Sequence, residues 1–180
     1  MKLLALCGSL RAASINAALL RTAATLSPLG LEIEISRHPG ALPLFNPDLE
    51  GEPPAVVVAF RAQVLAADAL LIASPEYAHG ITGVMKNALD WLVSIENFAG
   101  KPVAVWNASP RSVFSDASLR EILRTMAAEI IEEASIALPL VGAGLDEEGM
   151  LRTPAVVAAI AAALARIKAA QAAPAVGAAN

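Results

Sequence analysis

Short continuous apolar runs alternate with stretches of helical periodicity along almost the whole chain, and this order most constrains what it can fold into. Residues 2–8 are apolar after the lysine and end in Gly-Ser, the look of a central parallel strand feeding a loop. Residues 31–36 alternate Leu, Ile and Ile with Glu, Glu and Ser, which reads as a strand at a sheet edge. Residues 69–73, 102–106 and 135–141 read as further strands. Between and after them the spacing predicts helices over 16–26, 55–67, 83–95, 115–132 and 154–170, with Ser14 or Asn16 capping the first. Five strands alternating with five helices require right-handed crossovers and a parallel sheet covered on both faces. The expected architecture is one doubly wound α/β domain over residues 1–172. Residues 173–180 lack periodicity and read as a disordered tail.

Composition narrows the classes. At 180 residues there is room for one ordinary domain, and 56% hydrophobic against 17% charged residues fits elements buried on two faces. Much of the apolar content is alanine, and no run of about 18 uncharged apolar residues occurs, so no membrane span is expected. The opening MKLLALC has a shorter apolar stretch than the roughly 7–15 residues of a signal peptide. The only cysteine, Cys7, precludes an intrachain disulfide, which suits a reducing cytoplasm, and reads as a small core residue. A net charge of -4 with scattered Lys and Arg leaves no footprint for nucleic acid. Residues 37–54 carry five prolines and two glycines and must be irregular, and so long a loop usually has work to do.

Ligands of doubly wound sheets sit beyond the carboxyl ends of the strands, which puts weight on residues 8–15, 74–82 and 107–115. The first loop reads Gly8-Ser9-Leu10-Arg11-Ala12-Ala13-Ser14-Ile15-Asn16 and leads into a helix. Ser9 and Ser14 offer hydroxyls, Arg11 a planar guanidinium, and the helix its N–H groups and positive dipole end. Together they describe a monophosphate site. The GxxxxGK[ST] and GxGxxG patterns are both absent, which excludes a nucleoside-triphosphate loop and a dinucleotide turn. Ser9, Ser14 and Asn16 are also ordinary turn and cap residues; Arg11 in the same loop favours the anion site.

The second loop and its helix read SPEYAHGITGVMKNALDW, residues 74–91. This stretch resembles the signature of the NADPH-dependent FMN reductase family, flavin, quinone, chromate and azo reductases of flavodoxin-like fold. GSLRAASIN resembles the phosphate loop of the same family and LPLFNPDLE its second-strand loop. The resemblance implies a flavodoxin-like sheet of strand order 2-1-3-4-5. It also implies FMN held by Ser9, Arg11 and Ser14 at its phosphate and by Pro75, Glu76 and Tyr77 along its ring. Flavin is a flat amphiphile needing backbone donors at one edge and apolar cover on a face, and Pro75 and Gly80 read as bending the loop to supply them. Read alone, Tyr77 is a half-buried packing residue, Glu76 a surface charge and His79 an exposed loop histidine. The third loop, Asn107-Ala108-Ser109-Pro110-Arg111-Ser112, departs from the Gly-rich pattern of the family. Asn107 and Ser109 offer donors there, and Arg111 is a candidate for a 2′-phosphate as much as for a solvated side chain.

The activity implied is transfer of electrons from NADPH or NADH through FMN to a small acceptor, with no catalytic side chain and no metal required, because the cofactor does the chemistry. Two other readings compete: a flavodoxin-type electron carrier, against which stand few aromatics, and a non-flavin regulatory domain keeping only the anion site. The helix 83–95 carries Met85, Leu89, Trp91 and Leu92, more apolar surface than one face buries, so it is the expected surface of a homodimer or homotetramer.

Overall fold

The computed structural model describes residues 1–172. Parallel strands form the sheet in the order β2 (Glu32–Ile35), β1 (Lys2–Cys7), β3 (Ala69–Ala73), β4 (Pro102–Asn107) and β5 (Glu129–Ile130), with a sixth short strand also paired to β4. β1 and β3 pair at the centre, β2 takes one edge and β4 lies beyond β3. The continuous apolar runs are thus the interior strands, and the alternating one is the edge, as their patterns require. The chain's fold is the doubly wound, flavodoxin-like one expected.

Because side chains alternate across a strand, each strand feeds two cores. Leu3, Ala5 and Leu71 face α1 (Ile15–Thr25) and α6 (Pro154–Ala172), and Leu4, Leu6, Leu70 and Ile72 face α2 (Ala55–Ala66), α3 (Gly83–Asp90) and α4 (Val113–Thr125). All are at most 1% exposed, and each buried Leu or Ile contributes roughly 1.5–3 kcal/mol. By length and composition α6 could cross a membrane, which the sequence reading did not anticipate. Here it lies on the domain through Val156, Ile160, Ala163, Leu164 and Ile167, at helical spacing.

Four expectations need correction. The helix expected over 83–95 ends at Asp90, and Met85, Leu89, Trp91 and Leu92 are all completely buried within the chain, so it has no apolar surplus to offer a second copy. Loop packing covers Trp91, whose Nε1–H donates to the Pro43 carbonyl at 2.8 Å and whose ring meets Phe45 edge-on at 5.0 Å, and Leu92 joins the core under α2, α3 and α4. The helix expected over 115–132 ends at Thr125, because Ala127 turns left-handed at φ 56° and the N–H of Ala128 closes back on the Leu123 carbonyl. The fifth strand, expected over 135–141, consists of two short pieces: β5 (Glu129–Ile130) pairs with Pro102 and Val103, and β6 (Ile136–Ala137) with Trp106 and Asn107. Between them Ser135 Oγ accepts from the Val105 N–H at 3.0 Å, replacing a ladder bond. A further short helix, α5 (Glu147–Leu151), precedes α6, so the alternation is not strictly five and five. The expected tail lies outside the described residues.

The proline-rich segment is irregular as expected, with one short helical turn at Pro47–Leu49, and it is firmly tied down. Asn87 clamps it at both sides of Leu44, donating to the Pro43 carbonyl at 2.9 Å and accepting from the Phe45 N–H at 2.8 Å. Arg61 holds its far end through Glu50 at 2.9 Å.

Candidate functional site

The first loop leaves β1 at Gly8, whose N–H donates to the Ala73 carbonyl at 2.9 Å. A Cβ at position 8 would lie 2.2 Å from Ser74 Oγ and 2.7 Å from Ser74 Cβ, so only glycine lets the first and second loops touch. Ser14, and not Asn16, caps α1: its Oγ accepts from the Ala17 N–H at 3.2 Å. The backbone N–H groups of Ile15 and Asn16 find no partner among the described residues, no acidic residue stands in the first turn, and the guanidinium of Arg11 is likewise unpaired there. Asn16 is 3% exposed and its Oδ1 has no hydrogen-bond partner among the described residues. A buried orphan of this kind is uncommon, and the amide can turn either its oxygen or its Nδ2–H toward a ligand. Cys7 is half-buried beneath this loop. Its thiol donates to the Ser9 carbonyl at 3.5 Å, and burial pushes its pKa up against the smaller lowering effects of Ser9, Ser14 and the charge of Arg21, so the thiol stays protonated at neutral pH.

Gly80 takes part in the bend of the second loop, as expected, but the sharp turn itself falls on Ala78 and His79. Tyr77 and Gly80 exchange backbone hydrogen bonds, both 3.1 Å, across a tight turn in which Ala78 (φ 50°) and His79 (φ 57°) take the left-handed conformation. Two non-glycine residues held this way store strain of about 1–2 kcal/mol each. The turn leaves Tyr77 half exposed and stacks the His79 ring on Phe114, with centroids 4.4 Å apart. Glu76 does not stand free as a surface charge: its Oε2 accepts from the N–H groups of Phe114 and Ser115, both at 2.9 Å, at the start of α4.

In the third loop Asn107 spends its side chain on the loop itself. Oδ1 accepts from the Ser109 N–H at 2.9 Å and Nδ2 donates to the Ser112 carbonyl at 3.2 Å, so a glycine-free loop with Pro110 is still held close to the sheet. Asn107 and Ser109 are both nearly buried.

All nine residues singled out in the sequence, Ser9, Arg11, Ser14 and Asn16, Pro75, Glu76 and Tyr77, Asn107 and Ser109, line one cleft of about 590 Å³ beyond the carboxyl ends of β1, β3 and β4. Sequence reasoning missed its fourth wall, Leu140, Val141, Gly142, Gly144 and Leu145. The signal was present, since Gly142-Ala-Gly144 follows the fifth strand position and both glycines are left-handed, at φ 86° and 66°. The misplaced fifth strand hid it.

A doubly wound sheet with a helix N-terminus, a free guanidinium and a cleft of cofactor size at its strand ends defines a flavodoxin-like mononucleotide-binding domain. The chain belongs to the NADPH-dependent FMN reductase family, whose model matches residues 1–142. It is 47% identical over 113 residues to an NAD(P)H-dependent FMN reductase of Pseudomonas aeruginosa, covering 61% of this chain and 60% of that protein. An NADPH:quinone oxidoreductase of Arabidopsis thaliana is 45% identical over 121 residues, 64% of this chain and 57% of the relative. The chain thus spans about 60% of the length of the curated relatives it matches. Among solved structures, the flavoenzyme NAD(P)H:(acceptor) oxidoreductase of Paracoccus denitrificans superposes with a TM-score of 0.75 at 24% identity, over 93% of this chain and 97% of that one, a likeness of fold.

Proposed function

We propose that the cleft holds FMN and that the protein passes electrons from a reduced nicotinamide to a small acceptor such as a quinone or a free flavin. The observation that carries this reading is the convergence of the nine residues and the unpaired α1 terminus on one cleft. The residues fit the group: unpaired N–H donors, Arg11 and the orphaned amide of Asn16 stand at one end, and Pro75, Tyr77, Leu140 and Leu145 give apolar cover elsewhere. Family membership and the names of the relatives point the same way.

When bound, FMN supplies the redox chemistry, taking a hydride from NAD(P)H and returning electrons to the acceptor. The chain binds and orients. Arg11 and the N–H groups of α1 would hold the phosphate dianion by charge-assisted bonds, with Ser9 and Ser14 donating their hydroxyl protons to it. Tyr77 and Pro75 would limit the water reaching the ring, while Asn107 keeps the third loop pressed against the sheet from which Ser109 lines the cleft. Nicotinamide and acceptor would use this cleft in turn, and ping-pong kinetics are expected.

The protein would work in the cytoplasm as a homodimer or homotetramer. Exposed apolar side chains on the first loop (Leu10), the second loop (Tyr77), the start of α4 (Val113 and Phe114) and the segment after β6 (Val141) support self-association there in place of α3. Reconstitution of the full chain with FMN, followed by NADPH or NADH oxidation with a quinone, tests the function. A chain that takes up FMN but oxidises neither nicotinamide would be an electron carrier, and one that takes up no flavin would be a binding domain of another kind.

A further inference from the structure

Two helices, α1 and α4, start at the edge of the cleft. Each follows an arginine, Arg11 or Arg111, and each begins at a serine that lines the cleft, Ser14 or Ser112. What meets their free N–H groups differs. At α1 the N–H groups of Ile15 and Asn16 are unpaired among the described residues and the first turn holds no acid. At α4 Ser112 makes no side-chain cap, and the carboxylate of Glu76 reaches over from the second loop to take the N–H groups of Phe114 and Ser115, at 2.9 Å each. Asp116 adds a second carboxylate to that first turn. A helix N-terminus carries roughly half a positive charge, so a carboxylate seated on it both occupies the donors and cancels the field.

We propose that Glu76 makes the cleft one-ended: by filling the α4 terminus with its own carboxylate it leaves the α1 terminus and Arg11 as the only seat for a ligand's phosphate, and so sets the direction in which a phosphorylated cofactor lies. The proposal rests on the reading of the α1 end as the phosphate seat. An independent sign that this end is built for a polar ligand is the amide of Asn16, 3% exposed and lining the cleft with Oδ1 unpartnered. At α4 no such buried orphan stands among the described residues: Glu76 takes the N–H groups of Phe114 and Ser115, and the Ser112 carbonyl takes that of Asp116. Glu76 is then a positioning residue, acting on the ligand through the helix it caps. It also closes the α4 end, beside Arg111, to the 2′-phosphate that the sequence alone allowed there.

The test is calorimetric titration of the full chain, stripped of flavin, with inorganic phosphate. The wild type is expected to bind one phosphate per chain, lost in Arg11→Ala. Glu76→Ala is expected to gain a second phosphate, at least about tenfold tighter than any second site of the wild type and retained when Arg11→Ala is added. Glu76→Gln keeps an oxygen for the two N–H groups, which guards against loss of the fold, and by losing the charge should gain the second phosphate more weakly. A second phosphate in either variant supports the proposal. A single phosphate in both, abolished by Arg11→Ala, overturns it. Adding FMN separates the two layers: FMN should displace the phosphate held at Arg11, and failure to do so would sink the flavin reading while leaving the role of Glu76 standing.

Discussion

Gly8→Ala is the substitution whose effect follows most directly from the geometry. The new methyl would lie 2.2 Å from Ser74 Oγ, 2.7 Å from Ser74 Cβ and 3.0 Å from Thr82 Oγ1. Ser74 is buried at the end of β3 and Thr82 is the cap of α3, its Oγ1 accepting from the Met85 N–H at 3.2 Å, so neither is free to swing away. Relief must come from moving the first loop off the second, at a cost of about 2–3 kcal/mol for overpacking of this kind. In a domain of this size that lowers the thermal midpoint by about 4–12 °C. Because both loops line the cleft, FMN affinity should fall as well. The sharper assay is a double-mutant cycle with Ser74→Gly, which removes both of the closest atoms. Gly8→Ala should cost at least about 1 kcal/mol less in that background than in the wild type, measured by denaturant unfolding. Costs that simply add, or a Gly8→Ala variant with wild-type stability and FMN affinity, would refute the close approach as the reason for glycine.

Tyr77 is half exposed and its hydroxyl makes no hydrogen bond among the described residues. Tyr77→Phe should therefore keep NAD(P)H oxidation within about threefold of wild type, while Tyr77→Ala weakens FMN retention and raises the acceptor KM; stopped-flow traces of the two half-reactions check both. Ala127 ends α4 in a left-handed conformation, so Ala127→Gly should raise stability by about 0.5–1 kcal/mol, and a thermal midpoint below wild type would contradict it. The pKa of Glu50 lies below the ordinary glutamate value: burial raises it, but the hydrogen bonds of Arg61 and Ser94 and the charge of Arg61 together outweigh that. Its contribution is therefore present above about pH 4.3 and lost as pH falls through the lower folded value. Glu50→Gln should flatten the acid limb of the stability profile, and an unchanged limb would remove this pair from the account.

How much was legible in the sequence depends on which forces carried the information. Hydrophobic runs fixed the strands 2–7, 69–73 and 102–107 almost to the residue, because a central parallel strand must be apolar on both faces. The fifth position was misread since β5 and β6 are two residues each and Ser135 supplies by side chain what the ladder lacks, a substitution with no periodicity to detect. The end of α4 was missed because alanine occupies the left-handed position where glycine is the usual mark. Site residues were easier to place than to assign. Arg11 and Ser14 carry their chemistry in their residue types. Glu76 and Asn107 owe their roles to partners 38 and 5 residues away, Phe114 and Ser112, which no spacing rule connects. The buried state of Trp91 depended on the clamp to Pro43, a contact between a loop and a helix that share no pattern.

The central claim is that the α1 end of the cleft seats the phosphate of FMN, and parallel titration of the flavin-free full chain with FMN and with riboflavin measures it most directly. The two ligands share the ring and differ only in the phosphate. FMN should bind one per chain and at least about thirtyfold more tightly than riboflavin, equivalent to about 2 kcal/mol from the charge-assisted contacts, and Arg11→Ala should erase most of that preference. Equal affinity for the two flavins, or a preference for FMN that survives Arg11→Ala intact, would contradict the account.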